Sequence, residues 1–97
     1  MTTYNELADK KFEKLDLFSK AITRAHGKNH PEAFQVRELF EKIAQKTEQA
    51  KPEKPNLDVE FDELRDVTDH YSVPNDVCET YAAVYEMFSQ LDEAYTK

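Results

Sequence analysis

Apolar residues return every three or four positions through most of this chain, and that spacing sharply limits what it can fold into. Residues three and four apart share one face of an α-helix, whereas a half-buried strand alternates every second residue. The first run is Tyr4, Leu7, Ala8, Phe12, Leu15, Phe18, Ile22 and Ala25. The second is Ala33, Val36, Leu39, Phe40, Ile43, Ala44 and Thr47. A third comprises Leu57, Phe61, Leu64, Val67 or Thr68, and Tyr71, and a fourth Val77, Cys78, Tyr81, Val84, Tyr85, Phe88, Leu91 and Tyr95. Strand alternation and internal repeats are absent, and a single glycine in 97 residues leaves few helix breakers. Four amphipathic helices with short connections are expected to pack as an all-α, up-down antiparallel four-helix bundle. The alternative is a three-helix core with the first helix docked loosely. A chain of this length fits one domain.

Local signals set the expected boundaries at about 3–26, 31–50, 57–70 and 74–96. Thr3 and Glu6 have capping-box spacing. Gly27 is well placed to close the first helix in the left-handed conformation. Pro31 suits the first turn of the second helix, where its missing N–H would have had no partner, and Glu32 favours the positive helix end. Two prolines and dense charge make residues 51–56 a linker. Pro74 is expected to restart the chain toward the fourth helix, with Ala82 and Ala83 offering a close-contact point for a neighbour.

The net charge is −7, so a nucleic-acid ligand, itself a polyanion, is not expected. Lys10, Lys11, Lys14 and Lys20 sit among acids and form no basic face. One cysteine cannot form an internal disulfide, which suits a reducing compartment. The N-terminal MTTYNELADKK lacks the apolar centre of a signal peptide, and no apolar run approaches the ~20 residues that cross a bilayer. The expected location is cytoplasmic.

A carboxylate-bridged di-iron site in a helical bundle needs several Glu, Asp and His side chains facing inward from different helices. The histidines are His26, His30 and His70, and none has a glutamate at the Glu-x-x-His or His-x-x-x-Glu spacing. Asp66, four residues before His70, comes nearest to a ligand pair. His26 lies beside the first stripe at a helix end, where its charge suits the helix dipole; a partial metal ligand is the other reading. His30 and His70 read as surface or cap residues. Cys78 is expected one turn into the fourth helix as a small buried hydrophobe, with Asp76 and Glu79 opposing a thiolate. Tyr81, Tyr85 and Tyr95 read as core, and the acidic stretch DVEFDELRD as a solvated helix face. No phosphate loop or nucleophile elbow is present, so no catalytic residue is assigned.

The stretches HGKNHPE, VRELFEKI and ELRDVTDHYSVPNDVCETYAAVY resemble, in that order, the di-iron proteins of the iron–sulfur cluster repair family. The resemblance runs from about Asn5 to Leu91. Its more specific part is residues 67–85, where Tyr71, Pro74, Cys78, Thr80 and Tyr81 keep the family's order. It implies a hemerythrin-like bundle and repair of iron–sulfur clusters after oxidative or nitrosative damage, using a non-haem di-iron centre. The ligands transfer poorly. His26 falls on a family histidine close to the metal. The first-helix ligand position falls near Asn5, and the later ones near Ala50 and Lys54, none of which suits iron. The chain ends at about the point where the family's last ligand pair would begin, and the family's cysteine-bearing N-terminal region is absent. The resemblance therefore implies a short form with at most His26 as a remnant metal position, without a resident cofactor. Such a protein would work by contact with an iron–sulfur protein or a full-length repair homologue. Two alternatives stand beside it. One is an iron-binding or redox protein that completes its site as a homodimer, with His26 and acids such as Glu6 and Glu32. The other is a structural or regulatory bundle with no link to iron–sulfur clusters.

Overall fold

The four apolar stripes become four helices: α1 (Tyr4–His26), α2 (Glu32–Ala50), α3 (Asp58–Val67) and α4 (Glu79–Thr96). The structure is a computed structural model that describes residues 3–97, and it contains no strand among the described residues. The Thr3–Glu6 capping box is present in both directions and fixes where α1 begins. α1 packs against α2 and α4, and α2 packs against α3. Leu15 and Ile22 of α1, Val36 and Ile43 of α2, Phe61 and Leu64 of α3, and Val84, Phe88 and Leu91 of α4 are all essentially inaccessible to solvent. Each such side chain contributes about 1.5–3 kcal/mol by leaving water. Arg37 of α2 ties across to α1, donating from Nη1 to Asp16 Oδ1 at 2.7 Å and to the buried Ser19 Oγ at 2.9 Å.

One end of the bundle gathers the start of α1, the end of α2, the start of α3 and the end of α4. There Tyr4 OH and Thr47 Oγ1 share a hydrogen bond of 3.0 Å in the core. Tyr95 OH accepts from Leu57 N at 2.7 Å and donates to Asp58 Oδ1 at 2.7 Å. The Tyr4 ring meets Phe61 and Tyr95 edge-on. Burial pushes the Tyr4 hydroxyl up to about 12, against the lowering effect of its Thr47 hydrogen bond.

The structure departs from the sequence expectation where α3 should end. That helix stops at Val67 rather than residue 70. Thr68 Oγ1 donates to Leu64 O at 2.6 Å and accepts from Tyr71 N at 2.9 Å, which turns the chain out of the helix. Asp69, His70 and Tyr71 then take positive φ values of 51°, 57° and 64°. This left-handed turn costs about 1–2 kcal/mol per residue. It is opposed by a half-buried ion pair: Arg65 Nε and Nη2 donate to Asp92 Oδ2 and Oδ1 at 2.8 and 2.7 Å, and Tyr71 OH donates to Oδ2 at 2.7 Å. Tyr71 therefore reaches the core through a turn and not along a helix. Pro74 does not open α4; that helix begins at Glu79, with Cys78 as its N-cap. Asp66 and His70 consequently do not share a helix, and both are exposed. Ala25, assigned to the first stripe, is exposed as well. Glu60 departs from the solvated reading of its acidic stretch, because it is buried and its Oε2 pairs with Lys46 Nζ at 2.9 Å.

Candidate functional site

His26 is the last residue of α1, and the chain must fold back at once to start α2. His30 N and Asn29 N both donate to His26 O, at 2.7 and 3.1 Å. Gly27 sits in this turn with φ −56° and ψ −30°, an ordinary right-handed conformation. The expected left-handed closure is therefore incorrect. Glycine is needed here for space: a Cβ would lie 2.5 Å from Thr23 O and 2.6 Å from the Phe34 ring. The tight turn brings His26 and His30 to the same side, with ring centroids 6.4 Å apart.

Tyr81 of α4 stands beside both histidines, its ring edge-on to His26 at 5.4 Å and to His30 at 5.7 Å. Its hydroxyl pairs with Tyr85 OH at 3.2 Å in the core, and burial holds it well above the usual tyrosine range. His30 is not a free surface residue. Its Nδ1 lies 3.1 Å from Glu32 Oε2 and its Nε2 2.9 Å from Asp76 Oδ1, with 14% of the side chain exposed. The Glu32 hydrogen bond raises its pKa above the ordinary histidine value, burial opposes that, and Asp76 adds to it.

Cys78 corrects the sequence reading most. It is exposed and lies at the N-cap of α4, so it is neither a buried hydrophobe nor one turn inside the helix. Its Sγ lies 3.3 Å from His26 Nε2, across 52 residues of sequence. The sulfur makes no full cap hydrogen bond. The nearby Tyr81 N–H, then the His26 ring, and more weakly the Thr80 N–H hold the thiol below its ordinary value, while slight burial opposes them. Asp76, expected to work against a thiolate, is engaged by His30 instead.

The other transferred positions lie elsewhere. Asn5 Nδ2 donates to Pro52 O at 3.3 Å and to Glu53 O at 3.0 Å, at the opposite end of α1 from His26. Ala50 and Lys54 belong to that same far end, where Lys54 Nζ donates to Tyr95 O. Among the described residues, no group of three or more His, Cys, Asp or Glu side chains could hold a metal ion. His26 and Cys78 together offer two donors where a closed transition-metal site takes about four. The Cys78–His26 contact was readable in principle, since the last residue of α1 and the residue opening α4 meet whenever those helices run in opposite senses. No family model matches this chain, and neither a curated protein nor a solved structure matches it. Among the described residues, no helix is long and apolar enough to cross a membrane.

Proposed function

We propose that this chain is a short, metal-free member of the iron–sulfur cluster repair family, built as a hemerythrin-like up-down antiparallel bundle and acting through protein contacts. One observation carries the reading. The two stretches on which the resemblance rests, HGKNHPE and the segment ending NDVCETY, meet in one corner through His26–Cys78 at 3.3 Å and His30–Asp76 at 2.9 Å. A corner assembled from those stretches is where a contact surface of that family type would be retained. Both His30 ring nitrogens face carboxylates, which leaves them poorly disposed to ligate iron. The partner is an iron–sulfur protein or a full-length repair homologue in the cytoplasm.

Two measurements test this. Anaerobic titration with ferrous iron should give bound metal at background level; one equivalent that disappears in His26→Ala would refute the metal-free reading. Tagged protein recovered from iron-stressed cells should bring down an identified iron–sulfur protein or repair homologue, with loss of the partner when Asp76 and Glu32 are neutralised. Recovery of neither class would count against the partnership.

The second reading is an iron or redox site completed by a second copy. It is favoured by the position of Cys78 and His26 at a solvent-accessible corner, where two chains could pool donors. Native mass spectrometry with ferrous iron separates the two readings: a dimer that forms only with metal supports this one, and an unchanged monomer removes it.

A further inference from the structure

We infer that Cys78 and His26 form a nucleophilic thiol–imidazole pair that undergoes reversible exchange with small disulfides, making this corner a site of mixed-disulfide modification. The inference stands on the geometry and does not depend on the family reading.

The pair is assembled from two separate elements. The α1 C-terminus supplies the ring and the α4 N-cap supplies the sulfur. His26 Nε2 at 3.3 Å is within reach of the thiol proton, the arrangement that activates cysteine nucleophiles. The start of α4 adds the positive end of a helix dipole and two backbone N–H groups near the sulfur. Tyr81, edge-on to His26 at 5.4 Å, limits the ring's freedom to turn away. Of the two carboxylates that flank Cys78 in sequence, Asp76 is engaged by His30 at 2.9 Å and Glu79 stays exposed to solvent. Cys78 is exposed, so a small disulfide can reach it.

The small disulfide is itself the oxidant, and the exchange balances with no other co-reactant. The thiol proton moves to His26 Nε2 and the thiolate attacks one sulfur of the disulfide RS–SR. The Cys78 Sγ–S bond forms as the S–S bond breaks, and the leaving RS⁻ takes the proton to become RSH. With one cysteine in the sequence, no second thiol in the same chain can resolve the product. The adduct persists until an external thiol reverses it.

The test uses glutathione disulfide and the whole chain, followed by intact-mass spectrometry at pH 7. One glutathionyl adduct is expected, absent in Cys78→Ser and removed by dithiothreitol. Folded protein should react about tenfold faster than the same chain unfolded in urea, after correction for the effect of urea on a free thiol. His26→Gln, if circular dichroism shows it folded, should fall to the unfolded-chain rate, whereas His30→Gln should keep most of the native rate. A folded chain that reacts no faster than the unfolded one overturns the inference, and so does a folded His26→Gln with the native rate. If His26→Gln fails to fold, the folded-versus-unfolded comparison decides alone.

Discussion

The two ends of this bundle solve the same problem with opposite chemistry. At one end, Tyr4, Thr47, Tyr95, Leu57 and Asp58 link helix termini through hydrogen bonds, and Tyr4 and Thr47 are 2% and 1% exposed. At the other, His26, His30, Glu32, Asp76 and Cys78 make the links, and these groups remain open to solvent or half-buried. The difference follows from helix length. α1 has 23 residues and α3 has 10, about 35 Å against about 15 Å at 1.5 Å per residue. α3 therefore covers only the first end, and the loop from Thr68 to Cys78 must serve the second. The innermost links of the closed end run through the hydroxyls of Tyr4, Thr47 and Tyr95, because an unmatched charge there is costly, and the carboxylate that joins them, Asp58, lies at the exposed rim. An open end tolerates ionisable side chains, which are the groups that can do chemistry.

The largest break in this contrast should come from Phe61→Ala at the closed end. Phe61 is fully buried against Tyr4 and Tyr95, so its loss should cost about 3–5 kcal/mol in urea unfolding. Glutathione exchange at Cys78 should keep its native rate wherever the variant is still folded. Asp92→Ala comes next, at about 2–4 kcal/mol, because it strands the Arg65 guanidinium and the Tyr71 hydroxyl together. Unlike the first change it should also loosen the open end, visible as faster amide exchange in residues 69–78. Gly27→Ala should cost about 1–3 kcal/mol of thermal stability. Alanine favours helix by about 1 kcal/mol over glycine, so a stabilised variant would mean that the Thr23–Phe34 crowding is not limiting.

The smallest effect is a pH dependence at His30. Its pKa is raised in the folded chain, so the folded state holds the proton more tightly than the unfolded state does. That contribution is complete below the unfolded value of 6.5 and is lost as pH rises through the higher folded value. The melting-temperature difference between the native chain and His30→Gln should therefore shrink between pH 5.5 and pH 8.5. A difference that grows across that range would show that His30 is not held by Glu32 and Asp76.

Periodicity made the closed end readable and left the open end obscure. Tyr4, Phe61 and Tyr95 sit on regular stripes, and the capping box at Thr3 and Glu6 is local chemistry. Tyr71 also fell on a stripe, correctly as a core contact but wrongly as part of a helix. Asp and His enter the left-handed region more readily than other non-glycine residues, but a run of three positive φ values through Asp69, His70 and Tyr71 leaves too weak a local signal to mark the turn. With Pro74 read as the opening of α4, Cys78 falls one turn inside that helix; the actual start at Glu79 leaves it exposed at the N-cap. The burial of His30 is hidden from the sequence because Glu32 is a local partner two residues away, while Asp76 reaches the ring only through tertiary packing. His26 kept its place at the helix end, but its neighbour came from the far half of the sequence.

The anchoring of Tyr71 on Asp92 has a mechanical consequence. Starting at Cys78, the chain runs along α4 to Asp92, across to Tyr71, and back through the loop to Cys78, a closed circuit. If α4 slides along α1, the displacement registers where the circuit faces α1, in the gap between the sulfur and the His26 ring. The spacing of those two atoms is thus a gauge of the α1–α4 seam, and a partner that shifts the seam would tune the sulfur without touching it.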